Sequence, residues 1–438
     1  MKKRHALVTR GNHHPTIYVQ SFGCPQSRAD GQVVGGCLSQ AGYGIVDSPR
    51  EADILIYMTC AVKEPTENRV INLLRHASKE KKLVVAGCLP LINEGRVRRE
   101  IAYDALIGPA PGKGIVEVVA RVSRGERVEM LQMGNLPPCD LPKLKRNRVV
   151  EILPISYGCL DKCSYCSVKL ARGNLRSYSI KDVVNAVRKA VLEGAKEVWL
   201  TAQDTGAYGM DLGCNLAQLL NRVSMVPGRF RVRVGMMNPT WSLRTLDKLI
   251  EAYRSRKIYK FLHLPVQSGS DPILKAMRRR YRVEDFLRIV GEFRAAHPRL
   301  TLATDVIVGF PGETEEDFER TLNLMSEVRP DIINISKYAP RPGTEAAGMK
   351  RIDTKRVKQR SRRLTEVAGE VGGERNVSWL GWEGVVLIDE RGARGGYIGR
   401  NFAYKPIVVK SDRNILGKFV RVRVTDAETT YLRGELHA

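Results

Sequence analysis

Short runs of β-forming residues recur through the first 125 positions, and each is followed by a stretch whose apolar residues lie three and four apart. TIYVQSF precedes a helical pattern near Arg28 to Ala41, DILIYMT precedes PTENRVINLLRHASKE, KLVVAG precedes a basic helix, and DALIG precedes KGIVEVVARV. Strand and helix alternating at this spacing predict an α/β fold, a doubly wound parallel sheet over residues 14–125. Cys24, Cys60 and Cys88 each fall just after a strand. In open parallel sheets the carboxyl ends of the strands share one edge, where ligands bind, so three thiols far apart in sequence can meet there. Three buried structural cysteines are the alternative, and Cys37, inside a helical pattern, reads as core.

Residues 126–147, with Pro137, Pro138 and Pro142 and a basic run ending at Arg148, read as a linker. A second block, 148–372, contains six β segments separated by helical patterns: VVEILPISY, EVWLTAQ, RVRVGMM, FLHLPVQ, LATDVIVGF and DIINISKY. Ser179 with Asp182, and Thr314 with Asp317, have the spacing of capping boxes at helix starts. Six β/α units predict a partial (β/α)6 barrel with its chemistry at the carboxyl ends of the strands. From about 375 to 438 helix signals disappear. Five short β runs between glycines predict a small OB-like β-barrel. Arg394, Tyr397, Arg400, Phe402, Tyr404 and Lys405 interleave cations with aromatics, a pattern suited to phosphate contact and base stacking, although part of it suits a core equally well.

Charge narrows the partner. Lys and Arg number 72 against 47 Asp and Glu, a formal net charge of +25, which points to a polyanion such as nucleic acid. Eight of those cations fall in KRIDTKRVKQRSRR, residues 350–363. The leading Ala6, Leu7 and Val8 are too short an apolar run for a secretory signal, and no segment is long enough to span a membrane, so a cytoplasmic location is expected. In a reducing compartment nine cysteines are seldom a disulfide framework. Three of them crowd into GCLDKCSYC: Cys159, Cys163 and Cys166, directly after the first strand of the second block. Such a C-x3-C-x2-C triad suits an iron-sulfur cluster with one iron open to a small molecule, or a zinc ion with three thiolates and an open position.

GCLDKCSYC followed by KLARGNLRS resembles the signature of the radical S-adenosylmethionine methylthiotransferases. The similarity continues through LTAQDTGAYG, VRVGMMNP, FLHLPVQSGSD, TDVIVGFPGETEEDF and PRPGT, and covers nearly the whole chain. QDTGAYG and ARGNLRSY are most similar to the archaeal and eukaryotic branch, which acts on threonylcarbamoyladenosine beside the anticodon of tRNA. The resemblance implies two [4Fe-4S] clusters, one on Cys159, Cys163 and Cys166 and an auxiliary one on Cys24, Cys60 and Cys88, each a ligand short. It also implies S-adenosyl-L-methionine, both as radical source and as methyl donor, and a methylthio group on carbon 2 of the adenine as product. By the same resemblance Tyr165, Gln203, Asp204, Gln267 and Ser268 would touch S-adenosylmethionine, although Gln267 and Ser268 suit a helix cap as well. The last block would be an RNA-binding TRAM domain, which with residues 350–363 would meet the anticodon loop, and the electron donor would be a protein such as a ferredoxin or a flavodoxin. Two positions depart from the family pattern: Ser27 and Met58 stand where Asn is usual, beside Cys24 and Cys60. Modification of another tRNA base or of a ribosomal protein by the same chemistry, and a non-catalytic zinc or iron-sulfur RNA-binding protein, are the competing readings.

Overall fold

Every side chain of ILIYMT and five of the six in KLVVAG are buried, so these strands have no polar face and must be covered on both sides. In the computed structural model, which describes residues 14–61, 64–132, 134–393 and 395–437, the two strands sit at the centre of a six-stranded parallel sheet. Ala6 to Val8 and Arg394 lie outside the described residues. The chain divides into two compact units, residues 1–61 with 65–144, and 62–64 with 145–438.

The strands of the first unit are β1 (Thr16–Ser21), β2 (Gly44–Val46), β3 (Ile54–Thr59), β4 (Lys82–Gly87), β5 (Ala105–Ile107) and β6 (Val128–Met130), in the order β2-β1-β3-β4-β5-β6. Ile17, Ile56, Val84 and Ile107 share a core with Val34 and Leu38 of helix Pro25–Gln40 and with Ile115 and Val119 of helix Gly114–Ser123. Strand β6 falls in the proline-bearing segment that reads as a linker, and Leu141 from the same segment joins this core. Three residues, VEM, are too short to carry a period, so pairing with β5 rather than local pattern defines that strand. Gly36 lets the segment close on the helix, since a Cβ there would overlap the Pro142 carbonyl.

In the second unit β7 (Val150–Pro154), a hairpin of β8 (Ser156–Tyr157) and β9 (Arg176–Ser177), β10 (Glu197–Thr201) and β11 (Arg231–Val234) precede β12 (Phe261–His263), β13 (Thr301–Val308) and β14 (Ile332–Lys337). Two parallel sheets, β11-β10-β7 and β12-β13-β14, are linked by a bridge from Val232 to Ile258, which gives the partial barrel. Both predicted caps form: Asp182 N donates to Ser179 Oγ at 3.1 Å, and Thr314 and Asp317 bond reciprocally. The remaining strands, β15 (Glu383–Arg391), β16 (Tyr397–Arg400), β17 (Pro406–Val409), β18 (Phe419–Ala427) and β19 (Leu432–Leu436), close into a barrel of order β15-β16-β17-β19-β18.

That small barrel packs on the amino-terminal starts of the larger barrel's strands. Lys260 N, just before β12, donates to Phe402 O at 2.8 Å, and the Tyr404 ring lies 4.8 Å from Tyr259 and 5.0 Å from Phe261. Lys405 Nζ bonds Asp331, just before β14, at 2.8 Å, and Arg400 pairs with the buried Asp389. Phe402 packs at a tilt against Trp379 and Trp382, and Tyr397 is core. Tyr397, Arg400, Phe402, Tyr404 and Lys405 therefore face inward and build an intramolecular interface instead of a nucleic-acid face. Alternation of residue types cannot distinguish those two uses.

Candidate functional site

In the first unit the three cysteines follow β1, β3 and β4, which are neighbours in the sheet. Cys24 is the N-cap of helix Pro25–Gln40 and is exposed, whereas Cys60 and Cys88 are buried. The strand ends are tied together: Phe22 N donates to Met58 O at 2.8 Å and Cys88 N to Thr59 O at 3.1 Å. Gly23 (φ +103°) leaves room for Cys60, because a Cβ on it would stand 2.7 Å from Cys60 Cβ and 2.9 Å from its Sγ. All three cysteines thus leave the sheet at its carboxyl edge. Met58 points into the core and adds no polar group at this edge, whereas Ser27 is buried with its hydroxyl unpartnered.

The second triad sits on the loop between β8 and β9. Gly158 (φ +76°) starts it, and a Cβ there would overlap the Asn174 carbonyl, so the close approach requires glycine. Cys159 N then bonds Gly173 O at 3.1 Å, and Cys166 N bonds Cys163 O at 3.2 Å. Ser164 pins the loop from outside, through Oγ to Ala276 O at 2.8 Å and through its carbonyl to Ala346 N at 2.9 Å. The three thiols lie close enough to interact electrostatically. Burial, then the Asp204 carboxylate, pushes Cys159 up to about 12, and burial, then Cys163, pushes Cys166 up to about 12. Both are therefore protonated at neutral pH until a cationic centre displaces the proton.

Around them the strand ends present carboxylates with spare acceptors. Asp204, just past β10, accepts from Gly206 N and Asn238 N through Oδ1, both at 2.9 Å, while its buried Oδ2 has no partner. Burial pushes Asp204 up to about 6, against the pull of the Asn238 amide. Asp161, between Cys159 and Cys163 in the chain, accepts through Oδ2 from Asn238 Nδ2 and from Trp241 Nε1, and its buried Oδ1 is likewise without a partner. Buried acceptors without donors are costly. Beside the three thiols they suit a group that brings positive metal charge together with ammonium or hydroxyl donors.

The other expected contacts differ among themselves. Gln203 is half-buried just past β10. The Tyr165 ring, also half-buried, meets Phe310 edge-on at 6.4 Å. Gln267 adopts φ +71°, held between Asp305 O and Ile307 N on β13, and left-handed backbone at a non-glycine residue marks a position its surroundings enforce. Ser268 Oγ accepts from Ser270 N at 3.2 Å and lies 3.5 Å from Thr321 Oγ1, a local side-chain turn ahead of helix Asp271–Ala276, whose N-cap is Ser270 and which has no side-chain cap bond. Arg279, Asn238 and Trp241 were not expected from single residues. Asn238 lies within the quoted VRVGMMNP and so had a signal, whereas Arg279 is the middle of three arginines and had none. Among the described residues no three His, Cys, Asp or Glu side chains could hold a single metal ion. Cluster thiolates each bond a different iron and need not converge on one point.

Family models match in three places: the radical SAM superfamily over residues 153–325, the family described as uncharacterized protein family UPF0004 over 16–108, and the TRAM domain over 381–437. The probable threonylcarbamoyladenosine tRNA methylthiotransferase of Pyrococcus horikoshii is 43% identical over 96% of this chain and 99% of its own length. The chain belongs to the threonylcarbamoyladenosine tRNA methylthiotransferase family. The human member is 35% identical over 96% of this chain and 73% of its own. Among solved structures, the radical S-adenosylmethionine methyltransferase TsrM of Kitasatospora setae aligns with a TM-score of 0.55 over 76% of this chain and 75% of that one, at 14% identity, which speaks to the fold alone. A methylthiotransferase of this family is a radical S-adenosylmethionine enzyme, and its cofactors are S-adenosylmethionine and two [4Fe-4S] clusters. The thiols and orphaned carboxylate oxygens described above fit those groups. Among the described residues no helix is long and apolar enough to cross a membrane.

Proposed function

We propose that this protein converts N6-threonylcarbamoyladenosine next to the anticodon of tRNA to its 2-methylthio derivative, with Cys159, Cys163 and Cys166 holding the radical-generating cluster and Cys24, Cys60 and Cys88 the auxiliary one. The observation that carries this reading is the pair of cysteine triads, one past the carboxyl ends of the parallel strands β1, β3 and β4 and the other on the loop of the β8–β9 hairpin just after β7, in a chain 43% identical over nearly its full length to a relative so named. When bound, S-adenosylmethionine and the two clusters supply an oxidant able to take hydrogen from an unactivated adenine carbon, and the sulfur and methyl group that replace it.

The chain's own residues bind and orient. Asp204 Oδ2 and Asp161 Oδ1 are the acceptors best suited to the ammonium or hydroxyl groups of S-adenosylmethionine, with Gln203, next to Asp204 in the chain, Gln267, just past β12, and Tyr165, on the cysteine loop, as the further contacts. Ser268 fixes the backbone that carries Gln267. Within 350–363, Arg360 and Arg363 are used in ion pairs with Glu313, Glu315 and Glu319. Lys355, Lys358 and Arg362 lie exposed on the opposite side of helix Thr354–Val377 and supply the surface for the anticodon loop, together with exposed Lys418 and Arg421 of the small barrel. A cytoplasmic protein of the ferredoxin or flavodoxin class supplies electrons.

Nucleoside analysis of tRNA from a host expressing the protein tests the substrate. A methylthio derivative of threonylcarbamoyladenosine supports the assignment, and its appearance on isopentenyladenosine alone overturns it. Anaerobic reconstitution tests the sites: about eight irons per chain are expected, falling to about four in Cys24→Ala. Stoichiometric zinc without iron would reject radical chemistry.

A further inference from the structure

We propose that Arg279 sets the reduction potential of the cluster held by Cys159, Cys163 and Cys166, acting through a hydrogen bond to the Cys163 sulfur. The inference rests on Cys163 being a cluster ligand.

Every guanidinium nitrogen of Arg279 is committed. Nη1 donates to Cys163 Sγ at 3.3 Å, Nη2 to Asn238 Oδ1 at 3.1 Å, and Nε to Tyr281 Oη at 3.2 Å. The anchors are themselves fixed. Tyr281 Oη donates to Val266 O at 2.7 Å, and Asn238 Nδ2 donates to Asp161. Helix Asp271–Ala276 ends just before, and Arg278 in left-handed backbone (φ +55°) turns outward to bond Glu345, which leaves Arg279 alone of the three arginines aimed at the cysteine loop. A guanidinium normally seeks a carboxylate, to which it bonds in bidentate fashion. Here Asp161 and Asp204 take other donors, and one arm of the fork ends on sulfur.

Reduction passes one electron from the ferredoxin- or flavodoxin-class donor into the cluster; the donor is oxidised, the cluster gains one negative charge, and no proton need move. A fixed cation favours the more negative state, and an N–H bond to a ligand sulfur draws charge from the iron, two levers by which a protein tunes such a centre.

The test is an EPR-monitored redox titration of the reconstituted full chain in a Cys24→Ala, Cys60→Ala, Cys88→Ala background, so that a single cluster is read. Arg279→Gln should keep about four irons and shift the reduction equilibrium about tenfold toward the oxidised form, a midpoint about 59 mV lower for one electron. Arg279→Lys, which keeps the charge but not the fork, should recover part of the shift. A fully loaded Arg279→Gln protein with the wild-type midpoint overturns the inference. Should that variant fail to load, Tyr281→Phe decides: it keeps the guanidinium but frees Nε, and an unchanged midpoint there also overturns it. Cys163→Ala in the same background separates the premise, since a variant retaining all the iron and the wild-type spectrum would reject Cys163 as a ligand, and with it the assignment on which this inference stands.

Discussion

The substitution Arg360→Met probes how the long helix Thr354–Val377 holds the glycine-bearing loop that follows β13. Arg360 and Glu313 have side-chain exposures of 2% and 1%, and Nη1 reaches Glu313 Oε2 at 2.8 Å and its carbonyl at 3.1 Å. Glu313 Oε2 in turn accepts from Gly309 N at 2.9 Å, and Gly309 lies so close to the helix that a Cβ on it would be 2.5 Å from Val357 Cγ2. Removing one partner of a buried pair costs about 3–5 kcal/mol, whereas the bonds to half-exposed Glu315 are worth at most about 1 kcal/mol. Burial already holds the Glu313 carboxyl above its ordinary range, against the pull of Gly309 N and Arg360, so loss of Arg360 is partly relieved by protonation and the lower figure applies. About 3 kcal/mol is about two decades in an opening equilibrium. A single unfolding free energy is poorly defined for a chain of several units, but local opening is measurable. Hydrogen exchange of a peptide spanning 309–314 should therefore quicken about a hundredfold at pH 7.5, and by progressively less as the pH is lowered and Glu313 takes up its proton. Glu313→Gln keeps an acceptor for Gly309 N without the charge, so the double variant should recover most of the protection. Exchange within about threefold of wild type in Arg360→Met, or a double variant no better than the single, would refute the reasoning.

Gly23→Ala should cost about four of eight irons, since its Cβ would occupy the position of Cys60; iron and sulfide analysis after reconstitution checks this, and full loading would show that the strand end can shift. Replacing Lys355, Lys358 and Arg362 by Gln should weaken RNA binding uniformly across sequences and flatten the plot of log K against log salt by about 0.7 per lost phosphate contact; filter binding across a salt series reads it, and an unchanged slope rejects the helix as an RNA surface. Burial, then the charge of Glu197, pushes Asp389 up to about 8 against the pull of Arg400, so the native state retains a proton that the unfolded chain releases above about pH 4. Stability should then fall as pH rises from about 4 to about 8, by up to about 1.4 kcal/mol per unit, and Asp389→Asn should remove that slope; identical pH profiles of thermal midpoint in the two proteins would count against it.

What single residues reveal about this fold depends on whether their information is local. The strands of the sheet and of the larger barrel were legible because continuous apolar runs such as ILIYMT admit no other placement, and the capping residues Ser179 and Thr314 were legible because their partners lie three positions away. Strands β2 and β6 were not, since their pairing with β1 and β5 is a property of the sheet. The positions of Cys24, Cys60 and Cys88 after strands, and the crowding of Cys159, Cys163 and Cys166 on one loop, were legible because both are local to the sequence. Arg279 reaches Cys163 across 116 positions, and nothing in AMRRRY marks the middle arginine as the one turned inward. The same limit explains Arg400, Tyr404 and Lys405: cations alternating with aromatics look identical whether they face RNA or the buried Asp389 and Asp331.

The inward turn of those residues changes how an RNA must approach the second unit. The small barrel covers the amino-terminal starts of the larger barrel's strands, while the cysteine loop leaves from the opposite, carboxyl ends, and a strand the length of β13 spans about 26 Å at 3.3 Å per residue. Helix Thr354–Val377 covers that interval: Val357 packs at the carboxyl end of β13, and Asn376 bonds Glu428 O of the small barrel at 2.7 Å. Its exposed cations occupy only the first turns, and Glu366, Glu370 and Glu374 follow toward the small barrel. Cations at the amino end of a helix oppose its dipole, and apart from the N-cap Asp353 no acidic residue in the first turn offsets them. Positive charge has thus been placed where it lowers helix stability, at the end of the helix nearest the thiols. On the proposed reading, an anticodon loop drawn to those cations would bring its modified base to the carboxyl ends of the strands, while the exposed glutamates further along the helix would turn the stem away from that face, and the TRAM domain at the opposite strand ends would contact the RNA away from the thiols.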